Sequence, residues 1–333
     1  MTEPLIRSRS SARVLVLALV VTALLAGAVR APVARAATNP WRGTWVLHEV
    51  SSVRQLNAAA DKIRRALKVD GVIGLSVRVP WRAIEPRKGV YDFRIFNRAR
   101  EIAGGEKLAI RFMAGRFTPL FRLGHSMRYD GSATGGRGRG SVIPLPFGRS
   151  GGPNDAFERG WKRLVDHMAS WGRNHRTTRI LHLSWPGLLW AELALIDQMK
   201  RQPGYSYAAA SNTHQRLLTY GMRKSTKRMY VEFASTGHAP GQLNADITRR
   251  LLASPNRGRI FLQTNNLAGG YSLPKSAPPP KRGAQMVGQG GSYDWGRVYD
   301  QVRSMFGTYL EVYTPSFFSG NTGQLAREAG AFR

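Results

Sequence analysis

No cysteine occurs anywhere in the 333 residues. Disulfides, thiol nucleophiles, thiolate metal sites and a lipid-bearing N-terminal cysteine are therefore excluded, and stability has to come from an ordinary apolar core. Acidic residues are scarce: 20 Asp and Glu stand against 50 Lys and Arg, for a formal charge of +30. The seven histidines are scattered, with no His-Glu-x-x-His or comparable spacing, so no zinc is expected, and no other metal or organic cofactor either. Blocks of five or six like charges are absent, and no binding motif gathers the basic residues onto one helix, so specific nucleic-acid recognition is not expected. Two readings of the charge stay open. One is an arginine-rich solvated surface; the other is association with an anionic cell-wall polymer or acidic polysaccharide, whose local concentration such a charge raises.

The segment 14–29 is uncharged and apolar, follows Arg7, Arg9 and Arg13, and precedes the small residues Ala34, Ala36 and Ala37. That pattern predicts a secretory signal peptide over 1–37, and hence a secreted or cell-wall-associated protein with no membrane attachment after cleavage. At 16 residues the run is shorter than the roughly 20 that a bilayer-spanning helix needs. The mature part, 38–333, is long enough for one domain that buries roughly three quarters of its unfolded surface.

Across 38–333, short β-branched or aromatic runs alternate with longer helical patterns, the order expected of parallel βα units. Strands are predicted at 45–50, 72–79, 107–113, 179–185, 228–234, 259–265 and 308–313. Helices are predicted at 53–67, 93–103, 156–171, 213–224, 242–253 and 295–306. Seven such units point to an α/β fold of the (β/α)8 TIM-barrel type, incomplete or atypically closed because no eighth strand is visible. The strand-like stretch 142–147 follows a Gly/Arg-rich run at 131–140 with no intervening helix, so it is read as part of a long loop after the third strand. The Pro/Gly-rich stretch 272–291 is read as a second rim loop, and 325–332 as a terminal amphipathic helix.

In a barrel strand, alternate residues face the helices and must be apolar, while the others face the axis. This rule sends Leu310 and Val312 outward and leaves Tyr309, Glu311 and Tyr313 inward. It likewise points Ser76, Arg78, Arg111, His182, Ser184, Tyr230, Glu232, Gln263 and Asn265 at the axis. Buried ions are costly unless paired, so an axis of this composition suggests a site at the carboxyl ends of the strands, or else an ion-pair network that only fixes the barrel.

At three places the chain resembles the clan A retaining glycoside hydrolases, the group of β-galactosidases and endo-glycanases. The first is Ser76-Val77-Arg78-Val79-Pro80-Trp81-Arg82-Ala83-Ile84-Glu85-Pro86, continuing through Gly89, Tyr91 and Phe93. The others are Tyr309-Leu310-Glu311-Val312-Tyr313, and Leu183-Ser184-Trp185-Pro186-Gly187-Leu188-Leu189-Trp190-Ala191-Glu192. The resemblance implies Glu311 on strand seven as nucleophile, kept ionised by Arg78, and Glu192 after strand four as general acid/base. Glu192 departs from the commoner Asn-Glu pattern and follows a Trp-Pro-Gly turn. Glu232 is the reserve carboxylate, and Glu85 is read as fixing its loop.

Trp81, Trp185 and Trp190 are candidate platforms for sugar rings, or core residues. Arg111, His182, Asn265, Asn266 and Tyr313 are candidate substrate contacts. The substrate implied is an oligo- or polysaccharide, and a non-catalytic carbohydrate- or cell-wall-binding barrel is the alternative.

Overall fold

The computed structural model describes residues 41–132, 135–186, 195–226, 230–234, 241–255, 257–264, 282–285 and 293–332. The predicted signal peptide therefore lies outside the described residues. Trp41–Arg333 form one compact unit. Eight strands make its centre: β1 (Gly43–Glu49), β2 (Val72–Pro80), β3 (Lys107–Met113), β4 (Thr178–Leu183), β5 (Tyr230–Ala234), β6 (Ile260–Thr264), β7 (Arg282–Gln285) and β8 (Gly307–Tyr313). Each pairs in parallel with its chain neighbours, and β1 pairs with β8, which closes the barrel.

The closing strand corrects the sequence reading. Residues 282–285 lie inside the stretch 272–291 that reads as a loop, yet Gly283 stands in register with Gln263 on one side and Tyr309 on the other. Arg-Gly-Ala-Gln contains no β-branched or aromatic residue and so carries no strand signal. Two open neighbouring edges determine the pairing here, and intrinsic propensity has little say. Residues 307–313 are consequently the eighth strand of the barrel, not the seventh.

Seven helices of ten or more residues are described: α1 (Val53–Leu67), α2 (Arg94–Ala103), α3 (Asp155–Asn174), α4 (Tyr207–Met222), α5 (Gly241–Leu252), α6 (Trp295–Ser304) and α7 (Thr322–Ala331). In α1 the buried residues Leu56, Ala60 and Ile63 recur at helical spacing on one face. Its N-terminus is capped by Ser52, whose hydroxyl accepts from the Gln55 amide at 3.2 Å. Helix α4 begins six residues before its predicted start, capped in the same way by Ser206. Ser126–Arg128 pairs antiparallel with Val142–Pro144, a small sheet outside the barrel, so 142–147 does belong to the β3–α3 connection. Among the described residues no helix is long and apolar enough to cross a membrane.

The outer core joins helices to the outward faces of the strands and includes Leu310 and Val312, as the alternation predicts. His214 of α4 is fully buried in that layer. Its Nδ1–H donates to the Ala210 carbonyl at 2.7 Å, and its ring lies 5.5 Å from that of Trp185. Burial pushes the imidazole down to about 4, whereas an unfolded histidine titrates near 6.5. Between those values the unfolded chain binds the extra proton, so this contribution to stability is complete above about pH 6.5 and is lost as pH falls towards 4, amounting to about 3 kcal/mol in all. Urea unfolding of His214→Leu should show a shallower fall in stability over that window than the parent, by up to about 1.4 kcal/mol per pH unit. Equal slopes would mean that His214 is not the titrating group.

Candidate active site at the carboxyl end of the barrel

The inward side chains form layers along the axis. Nearest the amino ends lies an apolar plug of Trp45, Ala109, Ile180 and Tyr309, backed by Trp41 and separate from the outer core. The Trp45 ring passes over Gly74, where a Cβ would stand 2.6 Å from the indole, so only glycine admits it. The Trp45 and Tyr309 rings are 5.7 Å apart.

The next layer is polar. Arg111 of β3 crosses the axis, and its Nη2 donates to Oε2 of Glu311 and to Oε1 of Gln263, both at 2.8 Å. Gln263 Nε2 donates to the same Glu311 oxygen at 2.9 Å, and the Tyr309 hydroxyl donates to Oε1. Arg111 and Glu311 are both 0% exposed. His182 shares the layer, and burial, reinforced by the positive charges of Arg111 and Arg78, holds its pKa well below the usual imidazole value. It is therefore neutral at pH 7. In register, Arg78, Arg111, His182 and Glu232 stand side by side on β2, β3, β4 and β5.

Nearer the mouth, Arg78 Nη1 donates to the Tyr313 hydroxyl at 2.7 Å and lies 3.8 Å from Oε2 of Glu49. This corrects the expectation that Arg78 pairs with Glu311; Arg111 has that place. Along β1, Glu311 stands opposite Trp45 whereas Arg78 stands opposite Glu49. Four residues of strand, roughly 13 Å, separate those positions.

Several solved structures align along most of the chain. The catalytic domain of a β-amylase from Paenibacillus polymyxa is 10% identical, with 87% of this chain and 97% of that one aligned at a TM-score of 0.48. A glycosylated endo-β-1,4-xylanase of glycoside hydrolase family 10 from Gloeophyllum trabeum is 7% identical, with 87% and 96% covered at 0.47. Endo-glycoceramidase II from Rhodococcus sp. is 15% identical, with 87% and 79% covered at 0.42. No protein-family model matches the chain, and no curated protein sequence does.

Two of the three candidate tryptophans are not platforms. Trp81 and Trp185 are buried in the outer core. They share the parity of the outward residues Val77 and Val79, and of Leu181 and Leu183, so the alternation continues one step past each strand end and turns both rings towards the helices. Trp81 packs edge-on against Phe112 and Phe157, and its indole N–H donates to Glu85 at 2.9 Å. Glu85, fully buried, also accepts from the Gly89 amide at 2.9 Å and from the Arg122 guanidinium. It fixes its loop, as expected.

Glu192, Trp190, Asn265 and Asn266 lie outside the described residues, and for Glu232 only the backbone position is described. The residue that sequence reasoning missed is Glu49. It ends β1 with its side chain 37% exposed beside Arg78. The alternation that sends Val46 outward also turns Glu49 to the axis, so the signal was present.

Proposed function

We propose that the chain is a secreted glycoside hydrolase that cleaves an O-glycosidic bond with retention at the carboxyl-terminal mouth of its barrel. Glu311 is the nucleophile and Glu192 the general acid/base. The observation that carries this reading is the polar layer of Arg111, His182, Gln263 and Glu311. Barrel interiors are ordinarily filled by branched apolar side chains. Desolvating ions there costs several kcal/mol each, which favours a chemical use for them.

Glu311 Oε2 takes two donors and Oε1 takes one, so one lone pair on Oε1 is left to meet an anomeric carbon. Strands four and eight of an eight-stranded barrel face each other, and Glu192 follows the end of strand four in the sequence. A saccharide descending to Glu311 first meets Tyr313, Arg78 and Glu49, and their contacts part to admit it. Trp190, Asn265, Asn266 and Glu232 are the further residues proposed to contact the sugar. Retention requires the two carboxyl groups about 5 to 5.5 Å apart.

A second reading, a non-catalytic saccharide-binding barrel, is favoured by one observation: Glu311 and Arg111 have no exposed surface. Assay of the purified protein on a panel of glycosides separates the two. The hydrolase predicts turnover that Glu192→Gln lowers by about 10²- to 10⁴-fold on substrates with poor leaving groups, with the first-formed anomer, read by NMR, of retained configuration. Saccharide binding without turnover on any member would establish the binder instead.

A further inference from the structure

Beside the mouth, the segments following β2 and β3 and the small outer sheet enclose a cavity of about 470 Å³, lined by Arg82, Arg116, Thr118, Leu120, Phe121 and Val142 among others. Glu85 forms part of its floor, with its carboxylate already engaged by Arg122. The side chains of Arg82 and Arg116 belong to the wall. Arg82 Nη1 donates to the Arg116 carbonyl at 3.3 Å, and both cations lie over the Phe117 ring, at 5.6 and 4.6 Å from its centroid. The aromatic ring offers a favourable contact to each of the two cations.

Burial pulls the Arg116 pKa down; of the charged groups around it, Glu49 opposes the shift, while Arg82 and Arg78 deepen it. Among the residues that line the cavity, the charged side chains are Arg82, Arg116 and the Arg122-paired Glu85. Its rim carries Leu120 and Phe121, 78% and 40% exposed. A ligand with an oxyanion and an apolar face complements both the guanidinium groups of the wall and the apolar rim. A pyranose bearing a carboxylate or sulfate has these features: its C–H face suits an aromatic ring, and its oxyanion suits a pair of guanidinium groups.

We propose that this cavity binds an anionic sugar residue, with its oxyanion between Arg82 and Arg116 and its ring against Phe121, so that the polymer processed at the mouth is an acidic polysaccharide. The last clause rests on the hydrolase reading; the binding does not.

Calorimetric titration with an oligogalacturonate, a sulfated neutral oligosaccharide and the unsulfated neutral oligosaccharide of the same length tests it. At least one anionic ligand should bind at least tenfold tighter than the neutral one, and which of them does so identifies the oxyanion. Arg82→Gln and Arg116→Gln should each lose about tenfold. Phe121→Ser, a change at an exposed site that the fold tolerates, should lose at least threefold. Arg223→Gln/Arg250→Gln removes two charges from a separate cationic groove lined also by Lys162 and Tyr220, and should stay within twofold of the parent.

Equal affinity for the neutral ligand, an equal loss in the Arg223/Arg250 control, or displacement of the sugar by single-stranded DNA at equal concentration would each overturn the proposal. Tight anionic binding in a protein without turnover would instead remove the hydrolase reading and leave this site standing.

Discussion

Glu311→Gln is expected to lower glycoside turnover by at least about 10³-fold while saccharide binding persists, because the amide retains the carboxylate's shape but has no anionic oxygen to attack with. The same change removes the charge that Glu311 presents to the buried Arg111, so lost activity alone would not distinguish chemistry from folding. Glu311→Asp resolves this. It keeps the charge and the pairing partner but withdraws the oxygen by about 1.5 Å, and displacement of a reacting group on that scale costs about 10²-fold or more. Turnover by Glu311→Asp equal to the parent's would remove Glu311 as nucleophile. Turnover that falls in both variants, measured on protein shown to be folded by circular dichroism, supports it.

Arg111→Met should destabilise the fold by about 3–5 kcal/mol, read as a fall in the urea midpoint at unchanged slope. Removing one member of a fully buried ion pair leaves the other charge unpaired in the interior. Gln263 and Tyr309 still donate to Glu311, but neither neutralises it. The double variant Arg111→Met/Glu311→Leu removes both charges and should recover much of the loss, since paired apolar replacements of a buried ion pair are often neutral or better. A double variant no more stable than Arg111→Met alone would argue that the layer acts through hydrogen bonding and not through charge.

Seven of the eight barrel strands were readable from β-branched and aromatic runs. The alternation of faces was readable with them, and it brought Arg111, His182, Gln263 and Glu311 together. Height along the axis was not. Face parity is a property of one strand, whereas height depends on register, which tilt shifts by one position at each neighbour. Arg78 thus took its place beside Tyr313 while Arg111 reached Glu311. Trp81 and Trp185 were legible but read against their own parity. Strand β7 was hidden because Gly283 and Ala284 carry no strand preference, and with it went the numbering that set Glu311 on a seventh strand.

Closure through β1 and β8 joins residues from the two ends of the described chain: Gly43 finds its partner in Tyr309. Until the last strand is made, β1 can pair on one side with β2, while its other edge presents unmet amide and carbonyl groups. Few early contacts reward the chain for folding, and the pairing that completes the barrel is among its least local. A chain delivered amino end first therefore stays open-edged until nearly all of it has arrived. Its forty arginines, by mutual repulsion, help keep that unfinished sheet from adding to its neighbours.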